Sequence, residues 1–86
     1  MKKAIQGRPL LATLPLQIAD QLSARIVDAH YSPGERLLET ELSLSYEVSR
    51  ATVREALRLL EQRGLVRILP QRGARVTMLS DKELDD

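Results

Sequence analysis

Arg50 and Arg54 stand four residues apart in "VSRATVREAL", Val48 to Leu57, directly after Ser49. Four residues is about one helical turn, so in a helix both guanidinium groups leave the same side. Arginine offers a planar fork of donors, and guanine O6 and N7 in the DNA major groove form a matching pair of acceptors. Ser49 and Thr52 add hydroxyls able to bond a phosphate or a base edge, at a helix end that attracts phosphate. The competing reading is a solvated face, with Arg58 paired to Glu61 at i+3. Arg67, Arg72 and Arg75 further along the chain weigh against it.

Other chemistries find no support. His30 is the only histidine, cysteine is absent, and no carboxylate cluster has ligand spacing, so His30 reads as a loop residue and no metal or cofactor is expected. The serines lack a partnered base, and Glu39, Glu41 and Glu47 read as helix-end and surface charges rather than catalytic pairs. Glu55 reads as a local partner of Arg58, and Leu59, off the core face, as an exposed leucine. No catalytic residue is expected, and the chain is not read as an enzyme. The net charge of +1 conceals a strong asymmetry: residues 1–48 carry -1, 49–76 carry +5 and 77–86 carry -3. A basic patch depends on that placement rather than on the whole-chain sum.

The 86 residues make one small domain, with two aromatics, Tyr31 and Tyr46, so aliphatic side chains must build its core. Pro15 suits a helix start, and Ile18, Leu22, Ile26 and Ala29 give a first helix over roughly 15–29. "SPGE" at 32–35 then turns the chain, and Leu37 and Leu38 are short and extended. "ETELSLSY" predicts a second, shorter helix, with Glu39 and Glu41 at its positive end. Glu47 and Val48 must make the turn, and Ser49 then caps a third helix. In that helix Val53, Ala56, Leu57 and Leu60 fall at i, i+3, i+4 and i+7, and Gly64 ends it. "LVRIL", "PQRG" and "ARVTM" read as a β-hairpin tipped by Gln71, Arg72 and Gly73.

This order predicts an α+β fold, a winged helix-turn-helix in which a three-helix bundle carries a two-stranded β-hairpin wing. Residues 1–13 read as a flexible leader without the apolar run of a signal peptide or membrane span. Residues 14–78 form the domain, and 79–86 begin a linker helix, since Ser80 and Glu83 make a capping box. The lack of cysteine fits a cytoplasmic location.

"PGERL" (33–37), "EL" (41–42), "VSRATVREALRLLEQRGLV" (48–66) and "RGARV" (72–76) resemble the N-terminal domain of the GntR family of bacterial transcription regulators. The resemblance runs from about Pro15 to Val76. It implies sequence-specific binding to double-stranded DNA, helix 50–63 in the major groove and wing 70–74 near the minor groove. It also implies homodimers on pseudo-palindromic operators, held together by a further C-terminal domain, all-helical in the FadR-type subgroup. Carried over by motif, Ser49, Arg50, Thr52 and Arg54 fall on the recognition-helix contacts, and Gln71, Arg72 and Gly73 on the wing tip. The sequence departs from the family pattern at two positions. "LETELS" puts Thr40 where many members have a DNA-contacting arginine, which weakens that contact. Glu47 stands where a turn glycine is usual, which predicts a strained backbone or a different turn. The rival reading is a protein-binding winged helix whose basic face meets an acidic partner.

Overall fold

The structure, a computed structural model, describes residues 13–78; residues 1–12 of the expected leader and the capping box at Ser80 and Glu83 lie outside them. In chain order the elements are α1 (Leu14–Val27), β1 (Arg36–Leu37), α2 (Glu39–Tyr46), α3 (Arg50–Gln62), β2 (Val66–Leu69) and β3 (Gly73–Val76). Thr13 caps α1, its hydroxyl accepting from the Leu16 N–H, and Pro15 lies in the first turn. The helix stops two residues short of the predicted end. Ala29 takes a positive φ of 64° and is exposed, so only Ile18, Ala19 and Leu22 of α1 are fully buried.

Helix α3 is the spine. Val53, Ala56, Leu57 and Leu60 are all buried, as their spacing requires, and they pack with Ile18, Ala19, Leu22, Leu42 and the inner sheet residues Leu37, Val66, Ala74 and Val76. Leu59 is half-buried against this core rather than exposed, because α3 is packed from more than one side. At the far end of α3, Arg63 donates to Asp20 Oδ1 at 2.9 Å and to Ser23 Oγ at 2.8 Å, which ties α3 to α1. Helix α2 has a weaker claim to exist alone. It buries only Leu42 and its N-cap position holds Leu38 with no capping side chain, so packing on α3 must hold it.

The hairpin forms as expected, and β1 adds a third strand in the antiparallel order β1-β3-β2. Its register pairs Arg36 with Arg75 and Leu37 with Ala74. Leu37, expected only to be extended, is a paired strand residue because the Ser32–Glu35 turn, closed by Glu35 N–H on Ser32 O, brings it beside β3, and Gly34 N–H donates to Val76 O at 2.9 Å to tie the turn to that strand. The Glu61 carboxylate, paired with Arg58 only on the solvated-face reading, accepts the Ile68 N–H at 3.1 Å. Arg58 pairs with Glu55 at 3.2 Å. An exposed β2 N–H thus finds its acceptor on α3, which fixes the wing to the helix.

The turn before α3 resolves the Glu47 question. Glu47 adopts the left-handed conformation, φ 57° and ψ 48°, with its N–H bonded to Ser43 O. An L-residue there crowds its Cβ against the backbone, whereas glycine does not. Glu47→Gly should therefore raise stability by about 0.5–1 kcal/mol, the strain relieved less the added chain entropy. Thermal unfolding checks this, and a lowered midpoint would contradict it.

Candidate nucleic-acid interface

The exposed side of α3 faces a cleft of about 350 Å³ between α3, the start of α2, β1 and the root of the wing. Arg36, Arg50, Arg54 and Arg58 all line it, against a single acid, Glu39, while Leu57 and Ile68 contribute apolar surface. Arg50 and Arg54 lie one turn apart at the beginning of α3, so the helical spacing brings both onto this cleft as expected. Arg36 and Glu39 were not foreseen as parts of it. The register that pairs Arg36 with Arg75 sets Arg36 beside Gly73, where an added Cβ would stand 3.7 Å from Arg36 Nε. Nothing local to "PGERL" marks this neighbour, which lies more than thirty residues away in the chain.

Glu39 and Arg54 form the most specific contact in the cleft. Arg54 Nε donates to Glu39 Oε2 and Nη2 to Oε1, both at 3.0 Å. The hydrogen bond from Arg54, reinforced by the charges of Arg54, Arg50 and Arg58, holds the Glu39 carboxyl below the usual glutamate range despite some opposing desolvation. The same bond raises Arg54. Because the folded carboxyl ionises more readily than the unfolded one, the pair is intact at neutral pH and is lost only as pH falls through that lowered value. With both side chains partly exposed, it adds little to stability.

The remaining expected positions are distributed as follows. Ser49 caps α3, its Oγ accepting from the Thr52 N–H at 3.0 Å and lying 2.9 Å from Thr52 Oγ1. The two hydroxyls share one hydrogen bond, so one hydroxyl hydrogen is left to donate outward. Thr40, exposed on the first turn of α2, also lines the cleft. At the wing tip Arg72 N–H bonds Leu69 O at 3.1 Å, with Pro70 and Gln71 between them. Proline followed by a positive φ, 61° at Gln71, is the pattern of a type II turn. Gly73, also at positive φ (78°), starts β3 and borders the cleft, whereas Gln71 and Arg72 are exposed at the turn beyond it. A side chain at Gly73 would meet only ordinary contact with Arg36, so the backbone angle is what favours glycine there. Among the described residues no group of acids and histidines could hold a metal ion, and no helix is long and apolar enough to cross a membrane.

Residues 14–76 match the family model described as bacterial regulatory proteins, gntR family. The chain is 42% identical over 71 residues to the HTH-type transcriptional regulator YdhC of Bacillus subtilis (strain 168), a match covering 83% of this chain and 32% of that protein. To the HTH-type transcriptional repressor RspR of Escherichia coli (strain K12) it is 44% identical over 64 residues, 74% of this chain and 28% of that one. The chain thus spans about a third or less of the length of these relatives. Among solved structures, the crystal structure of AraR(DBD) in complex with operator ORR3 superposes with a TM-score of 0.68 at 28% identity, covering 74% of this chain and 78% of that one. The chain belongs to the GntR family of bacterial regulatory proteins, and the part of such a protein that it contains is the winged helix-turn-helix domain.

Proposed function

We propose that the chain is the sequence-specific DNA-binding head of a bacterial transcription regulator, with α3 in the major groove and the wing tip at the adjoining minor groove. The observation that carries this reading is the convergence of Arg36, Arg50, Arg54 and Arg58 on one cleft beside the exposed face of α3. AraR(DBD), of the same fold, is itself bound to operator DNA. Arg50 and Arg54 read base edges; Ser49, Thr52 and Thr40 bond phosphates or base edges around them. Gln71, Arg72 and Gly73 bring the wing against the backbone, with Arg72 entering the minor groove. Arg36 joins this set as a phosphate contact between α3 and the wing.

The same reading places the protein in the cytoplasm, without enzymatic activity, as a homodimer on a pseudo-palindromic operator. Dimerisation and effector binding belong to a C-terminal domain of the FadR type, which fits the large share of the relatives' length that this chain does not span.

Binding to duplex DNA should weaken with salt at a logarithmic slope of about 0.9 per neutralised phosphate. Arg54→Ala should lower the preference for a specific over a random duplex by roughly five- to a hundred-fold, the range for a bidentate arginine–guanine contact. Arg67→Ala, on a strand, should leave that preference unchanged. Competition binding on the two duplexes measures both, and equal loss on both for Arg54→Ala would contradict the assignment. Salt-independent binding would favour the protein-partner reading instead.

A further inference from the structure

We infer that Glu39 is a positioning residue for base recognition: by holding the side edge of the Arg54 guanidinium it presents the end edge as a preset fork for guanine. The inference deepens the DNA-binding reading and rests on it. A guanidinium carries five N–H donors in one plane. Two of them are engaged here, Nε–H on Oε2 and one Nη2–H on Oε1, so the carboxylate meets the group from its side. Three remain, and of these one Nη1–H and the second Nη2–H lie parallel to each other at the end of the group. That parallel pair matches guanine O6 and N7.

The contact joins residues fifteen apart in sequence, from the first turn of α2 and the second turn of α3. Its geometry is therefore set by the packing of α2 on α3 rather than by either helix alone. A long arginine left free must surrender its rotamer freedom when it binds, and holding it in advance lowers that cost. The carboxylate is also the one acid among the charged residues of the cleft, the others being arginines, and its charge repels phosphate. Glu39 thus lowers affinity for DNA of any sequence while raising discrimination, which an ion pair serving stability alone would not do. The lowered pKa of its carboxyl keeps it charged throughout the neutral range.

The test compares the 86-residue chain with Glu39→Gln, Glu39→Ala, Arg54→Ala and the Glu39→Ala/Arg54→Ala double variant. Each is titrated with a duplex enriched by the wild-type chain from random-sequence DNA, and with random duplex. Both Glu39 variants should lower the specific-to-random ratio by about five- to ten-fold, the low end of the range for a bidentate contact. Their affinity for random duplex should hold or rise, and the double variant should lose no more discrimination than Arg54→Ala. Without DNA, the Arg54 Nε–H resonance should exchange slowly with solvent in the wild type and quickly in Glu39→Gln. Unchanged discrimination in both Glu39 variants, with loss in Arg54→Ala, would overturn the inference and leave the DNA-binding reading standing. So would fast exchange of that Nε–H in the wild type. Failure of the wild-type chain to enrich any sequence would overturn both.

Discussion

Leu60→Ala should leave the domain close to unfolding at room temperature. Leu60 is completely buried on α3, where the helices and the sheet share one core. Truncating a buried leucine removes its transfer energy and leaves a cavity, together about 2–5 kcal/mol. A single core of this size rarely supplies more than about 3–5 kcal/mol in all. Leu44→Ala is the control, since Leu44 is 79% exposed on α2 and its loss should shift stability by no more than about 0.5 kcal/mol. Urea unfolding followed by circular dichroism compares them, and similar midpoints would mean that the core is not where the structure puts it.

The second large effect concerns affinity. On the proposed reading, fusing an unrelated dimeriser after Asp86 should tighten binding to a palindromic site by about 10² to 10⁴, because the second half-site encounter becomes intramolecular. The linker must span half-sites about 34–36 Å apart. The physical reason lies in α3. Its apolar residues Val53, Ala56, Leu57 and Leu60 are all consumed by the core, leaving that helix no buried-type stripe for a partner. Of the exposed large apolar residues among those described, Leu14 and Val27 stand at opposite ends of α1, while Leu44 and Met78 belong to other segments. Sedimentation of the 86-residue chain as a tight dimer, or fusion without gain, would contradict this expectation.

Whatever depends on near neighbours was legible in the amino-acid order. The 3.6-residue spacing of Val53, Ala56, Leu57 and Leu60 defined the core face of α3, and the same spacing set Arg50 and Arg54 on one cleft. Ser49 as a cap and Gly64, at φ 78°, as a stop follow from local backbone chemistry, as does the hairpin around Pro70. At Glu47 the family pattern, with its turn glycine, left two outcomes, a strained backbone or a different turn, and the positive φ of 57° is the first of them. What tertiary structure alone decided were the partners. Arg58 and Glu61 suit each other at i+3, yet Glu61 turns to the Ile68 N–H because the sheet packs beside α3 and leaves that donor in reach. Arg36 enters the cleft through a strand register that closes only when β3 lies between β1 and β2. Glu39 read as a helix-end charge because helical spacing relates it only to its own helix. The side-on grip on Arg54 exists because Leu42 and the α3 core draw the two helix starts together, and no periodicity in a linear chain records that distance.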